Sequence, residues 1–142
     1  MFTESGRDVP LTVLLFRAER AVMEHLLTLL APRFPGLTTA HLAFFGALDC
    51  GVTHASAAAA RLGISRQAVS RTVRELVGLG LLEPVDAVPQ GAKAEIRMTA
   101  RGEALALAGR ACLAELEAGL GPLGAEPLRV ALSALSDLRS GS

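Results

Sequence analysis

The stretch Ala58-Ala59-Ala60-Arg61-Leu62-Gly63-Ile64-Ser65-Arg66-Gln67-Ala68-Val69-Ser70-Arg71 decides how the chain is read. An Ala-dense run from Thr53 to Leu62 predicts a short helix whose small side chains let a neighbouring helix approach closely. Gly63 is suited to end it, and Ser65 to cap a second helix from Arg66 to Leu79 that Gly80 stops. Ile64 before the cap and Val69 four positions into the helix have the spacing of a hydrophobic staple. Two helices joined by so short a turn predict a helix-turn-helix over residues 53–79.

Charge makes the second helix the informative one. Between Cys50 and Arg74 stand four arginines, Arg61, Arg66, Arg71 and Arg74, and no acid, in a chain whose 14 basic and 14 acidic residues cancel overall. A helical wheel gathers Val69, Thr72, Val73, Leu76 and Val77 on one side, and Gln67, Ser70, Arg71 and Arg74 on the other. That polar ridge suits a major groove: an arginine bonds guanine O6 and N7 as a fork, glutamine pairs with adenine N6 and N7, and serine takes either role. Ser65, with Arg66 beside it and the free amides of the helix start, suits a phosphate. An ordinary solvated helix face mixes signs to gain i,i+4 pairs, whereas here the first acid is Glu75, so the nucleic-acid reading is favoured over a merely solvated face.

Working outward, a helix is predicted from about Val9 to Ala31, with Asp8 as its cap, Pro10 in its first turn, and Pro32 and Pro35 ending it. Its polar residues Arg17, Arg20, Glu24 and Thr28 form one seam, and the rest of its circumference is mostly apolar, as in an interface helix. A second helix is predicted over 37–49, capped by Thr38 or Thr39, with Leu42, Phe45 and Leu48 inward and Cys50-Gly51 closing it. After Gly80 the period shifts towards two: Leu81 to Val88, interrupted by Pro84, and Ala94, Ile96 and Met98 read as two strands around a tip at residues 89–93. Thr99 caps a long Ala/Leu helix to about Leu120, Gly121-Pro122 breaks it, and a last helix spans about Ala125 to Leu138.

These features are similar to the MarR family of winged helix-turn-helix transcriptional regulators, over nearly the whole chain. Leu37-Thr38-x-x-His41 with Phe45 and Leu48 resembles the family's second helix, with His41 where glutamine is usual. Ala58-Ala59-x-x-Leu62-Gly63-Ile64-Ser65, Gln67-Ala68-Val69-Ser70-Arg71 and Leu76-x-x-x-Gly80-Leu81-Leu82 resemble its helix-turn-helix and wing entry, and Met98-Thr99-x-x-Gly102 its wing exit. The resemblance implies an intertwined homodimer of about six helices per chain, mainly α with a small β-hairpin wing, whose recognition helices enter successive major grooves of double-stranded DNA. It implies dimerisation helices at 9–31 and 99–138 and a DNA-binding lobe at 37–98, with the wing at 81–98, all within a single winged-helix domain of 142 residues. The DNA-binding residues so read are Ser65, Arg66, Gln67, Ser70, Arg71, Arg74 and, in the wing, Lys93. The wing departs from the family pattern: Pro84 stands where a basic residue often follows Gly-Leu, and Lys93 is the one cation of the tip from Gln90.

The function this implies is sequence-specific DNA binding at a palindromic operator by a ligand-responsive repressor. The effector would be a small organic molecule, for which Arg17, Arg20, His25 and His41 are candidate polar contacts that no pattern singles out. The alternative is a winged-helix protein-interaction module without DNA binding, which the unusual wing favours. An enzyme is disfavoured: no phosphate-binding glycine loop, nucleophile elbow or paired-carboxylate site is present. His25, His41 and His54 fall on three different elements without i,i+4 partners, so no metal site is read, and no cofactor. Cys50 and Cys112 read as structural thiols.

At 51% hydrophobic and 4% aromatic, the chain carries more apolar surface than a core of this length hides, and the surplus is expected to face a second subunit. Polar residues interrupt every apolar run before the roughly 18 residues that span a bilayer, so no membrane segment is read. The first ten residues lack the apolar stretch of a secretory signal, and the expected compartment is the cytoplasm.

Overall fold

A computed structural model of the chain describes residues 8–84 and 95–139. Their order is α1 (Leu11–Leu30), α2 (Thr39–Asp49), α3 (Ala55–Leu62), α4 (Arg66–Gly78), α5 (Ala100–Leu120) and α6 (Pro122–Ser136), followed by a 3₁₀ turn at Asp137–Arg139. The chain divides into two compact units between Ala108 and Gly109.

In the first unit α2 is the central element, packed on α1, α3 and α4. The sequence pattern assigns it one inner side, yet Phe44 and Ala47 are buried as well as Leu42, Phe45 and Leu48. A helix with neighbours on three sides has little circumference left for water. Thr38 and His41 form a capping box at its start: Thr38 Oγ1 accepts the His41 amide at 3.2 Å, and His41 Nδ1 accepts the Thr38 amide at 3.1 Å. The core is completed by Leu26 and Leu30 from the end of α1, the inner face of α4, and Phe34, Leu37, Leu81, Leu82, Ile96 and Leu105. Earlier in α1, Val13, Leu14 and Leu15 are half-buried, and Phe16 at 71% and Leu11 at 62% stay exposed.

Three expectations need correction. Asp8 does not cap α1: Pro10 occupies the cap position, with no side-chain bond, and its carbonyl accepts the Val13 and Leu14 amides. A proline ring sets φ for that position and needs no amide partner there, so the helix begins just after Pro10 rather than around it. The helix after α2 starts at Ala55 rather than Thr53, because His54 is extended and bridges antiparallel to Glu95. The last helix starts at Pro122, not Ala125: Gly121, at φ +71, turns the chain, and a proline at the first helical position loses nothing.

Where two strands are expected, the described residues carry isolated bridges. Leu82 pairs with Met98, the Glu83 amide donates to Arg97 O at 2.9 Å, and the Ile96 amide donates to Thr53 O at 2.7 Å. Residues 53–54, 81–83 and 95–98 thus lie side by side as the base of a wing. The expected tip, Lys93 included, lies outside the described residues.

The start of α5 is bound to this base. Thr99 caps α5 by accepting the Gly102 amide at 3.1 Å, and its hydroxyl donates to Gly80 O at 2.6 Å. Gly102 is buried, and a Cβ there would run into the Leu81 carbonyl oxygen. Arg101 lies over the Phe34 ring, 5.1 Å from its centroid, and donates to Arg33 O at 3.1 Å, while Arg33 stands 5.4 Å from the same centroid.

The second unit contains the end of α5 and all of α6, with Arg129 joining Glu117 at 3.0 Å. No residue of α6 is buried; Leu123 is 91% exposed, and Val130 and Leu138 are also exposed.

Candidate nucleic-acid interface

The helix-turn-helix is built by two local signals. Gly63 adopts φ +66, a left-handed conformation that favours glycine, and closes α3 while the Ile64 amide returns to Ala59 O. Two residues on, Ser65 is extended and its Oγ accepts the Ala68 amide at 3.0 Å, starting α4. Ala58, fully buried, lets α3 lie against α4. Removing the Ser65 cap by Ser65→Ala is expected to lower stability by about 1 kcal/mol, read as a lower urea midpoint at unchanged slope.

α4 presents the two faces that the wheel predicts. Val69, Thr72, Val73 and Leu76 are buried, and Ser65, Arg66, Gln67, Ser70, Arg71 and Arg74 are exposed. The Thr72 hydroxyl is satisfied by Ala68 O at 3.0 Å, so the inner face has no orphaned group there. α4 ends as expected near Gly80, at φ +76, with the Leu81 amide reaching back to Leu76 O.

The outer face is electrostatically unspent. Arg20, Arg97 and Arg129 each pair with a glutamate, whereas among the described residues Arg66, Arg71 and Arg74 form no ion pair. Glu75, the acid of this helix, instead faces α2, its Oε1 3.6 Å from His41 Nε2. Six of the seven predicted site residues therefore share one solvent-facing end of the helix-turn-helix. An array of three uncompensated guanidiniums, an amide and two hydroxyls can accept phosphates and read base edges.

The remaining polar candidates separate. Arg20 lines a groove of about 470 Å³ between α1 and α2 with Phe16, Met23, Glu24 and Ala43, and pairs there with Glu24. Arg17 and His25 are exposed on α1 outside that lining, and His41 is 3% exposed inside the core. Cys50 is exposed and Cys112 half-buried; both are free thiols. Among the described residues no group of three His, Cys, Asp or Glu side chains is placed to hold a metal, and no helix is long and apolar enough to cross a membrane. Two contacts escape a sequence reading, His41 to Glu75 and Arg101 to Phe34, since each joins residues more than thirty positions apart.

The arrangement is that of a winged helix-turn-helix protein. Residues 36–91 match the family model described as MarR family. Among solved structures, the MarR family protein Rv2887 of Mycobacterium tuberculosis in complex with DNA is 25% identical, with 95% of this chain and 100% of that one covered and a TM-score of 0.61. The same protein in complex with salicylic acid is 26% identical over 92% of this chain and 97% of that one, with a TM-score of 0.59. Wild-type MarR of E. coli in its apo form shares the fold at 20% identity, covering 89% and 97%, with a TM-score of 0.64. A comparison with curated proteins gives no match. The MarR family match thus falls on the helix-turn-helix and the wing entry, and the chain as a whole is similar in fold to MarR family proteins of known structure.

Proposed function

We propose that this chain is a ligand-responsive, sequence-specific DNA-binding regulator of transcription, acting as a homodimeric repressor at a palindromic operator. The observation that carries this reading is the outer face of α4, where Arg66, Arg71 and Arg74 have no acidic partner among the described residues while the opposite face is locked in the core. In this reading Arg71, Arg74, Gln67 and Ser70 read base edges, Ser65 and Arg66 hold phosphates, and Lys93 of the wing adds a backbone contact. Residues 37–98 act as the DNA-binding lobe, and 9–31 and 99–138 as the dimerisation helices. The exposed apolar side chains of α1, Phe16 among them, and separately those of α6, Leu123 and Val130 among them, are surfaces a second copy would cover.

The groove between α1 and α2 is the proposed effector site. It combines Phe16 and Met23 with the Arg20–Glu24 ion pair and Glu19, a part-apolar, part-polar lining that suits a small organic molecule, and Rv2887 is known in complex with one, salicylic acid. The protein is proposed to work in the cytoplasm, as a regulator rather than an enzyme.

The test is selection of bound duplexes from a random library at two salt concentrations, with the molecular weight of the free protein measured by sedimentation. The expected result is a two-fold symmetric motif bound by a dimer, with half-sites about 34–36 Å apart and affinity falling steeply with salt. Recovery of no motif at either salt concentration would overturn the DNA-reading proposal in favour of a protein-docking module.

A further inference from the structure

Glu75 is the one acid on α4, and it stands four residues after Arg71. That is the spacing of an ion pair on a helix surface. α1 shows the outcome when nothing competes: Arg20 and Glu24, in the same order and spacing, join at 3.1 Å. Arg71 and Glu75 are not so joined. Glu75 turns to the other side of α4, where its Oε1 lies 3.6 Å from His41 Nε2.

The capping box fixes what Glu75 meets there. His41 is 3% exposed, and its Nδ1 accepts the Thr38 amide, so the hydrogen-bond pattern assigns the ring proton to Nε2, the nitrogen facing the carboxylate. The distance is longer than a hydrogen bond, but it sets the positive edge of a buried, immobilised ring against a carboxylate that is itself half-exposed. Glu75 has two possible partners, and the α2 cap decides between them.

We propose that His41 is a positioning residue for DNA reading: it draws Glu75 away from Arg71 and leaves that guanidinium free for the major groove. This inference rests on the proposed role of α4. Without His41, Glu75 would pair with Arg71 as Glu24 does with Arg20, and that pair would have to break on each DNA encounter. The contest is worth up to about twofold in affinity for each helix, so roughly fourfold for a dimer with two recognition helices.

The experiment measures affinity for the duplex selected by the wild-type protein, at one salt concentration, for H41L, H41Q, E75Q, H41L/E75Q and R71A. The expected pattern is a roughly fourfold loss for H41L and near wild-type affinity for E75Q alone. H41L/E75Q should return to wild-type affinity, and H41Q should retain it because glutamine can both accept the Thr38 amide and donate to Glu75. If H41L/E75Q binds as weakly as H41L, or H41L binds like the wild type, the positioning role is overturned. R71A separates the two levels: wild-type affinity in R71A, or no selected duplex at all, overturns the reading of α4 and this proposal with it. A measurement independent of the folding of H41L is the Arg71 Nε–Hε resonance, which E75Q should leave unmoved in the free protein. Displacement of that resonance would place Glu75 on Arg71 and overturn the proposal.

Discussion

Arg71→Ala combined with Arg74→Ala is expected to weaken binding to the selected duplex about a thousandfold. Each arginine that forks onto a base edge contributes at least about 1 kcal/mol of discrimination, and a symmetric dimer loses four such contacts, about 4 kcal/mol in all. Folding should be almost untouched, within about 0.5 kcal/mol, because both side chains are exposed surface groups. Neither pairs with an acid among the described residues. Fluorescence anisotropy across a salt series and a urea titration of the same samples separate the two effects. The salt slope should stay near that of the wild type, since the phosphate contacts assigned to Ser65 and Arg66 remain, and discrimination between the selected duplex and a random one should fall. Unchanged affinity in a folded double variant would remove α4 from the interface.

Gly102→Ala should be the most damaging glycine-to-alanine change among the described residues. The added carbon would meet the Leu81 carbonyl oxygen, with the Leu81 carbonyl carbon at 3.1 Å and Met98 Cβ at 3.2 Å. Backbone cannot rotate aside as a side chain can, so the first turn of α5 would have to lift from the wing base and break the Thr99 bonds to Gly80 and Gly102. A loss of about 3 kcal/mol is expected, a large share of the roughly 5–15 kcal/mol that holds a domain folded. Gly109→Ala, on the same helix, supplies the opposite sign: nothing lies within 4 Å of its added carbon, and an alanine there should stabilise by about 0.5–1 kcal/mol. Urea midpoints of the two variants falling on the same side of wild type would contradict this account.

The parts of the fold that were legible are those governed by neighbours in sequence. Gly63 and Ser65 mark the turn and start of α4 because a left-handed residue and a capping hydroxyl act within three positions. Likewise the spacing of Val69, Thr72, Val73 and Leu76 determines which face is buried, and with it which side chains reach solvent. Phe44 could not be placed inward by the same reasoning, because the wheel of α2 does not say that three helices surround it. Asp8 has the chemistry of a cap but loses the position to Pro10, whose fixed φ suits the last residue before the helix. Gly121-Pro122 reads as a break and is also a start, since proline is at ease on a first turn. Of the candidate site, the α4 ridge was visible as charge without countercharge. The turning of Glu75 towards His41 was not, because only the packing of α2 on α4 brings them together.

Arg101 and Thr99, two residues apart, tie the first turn of α5 to Phe34 and Arg33 ahead of α2 and to Gly80 beyond α4. That turn is therefore a handle shared by two distant points of the chain. In the proposed DNA-binding lobe, a tug on it would reach the approach to α2 and the exit of the proposed reading helix together.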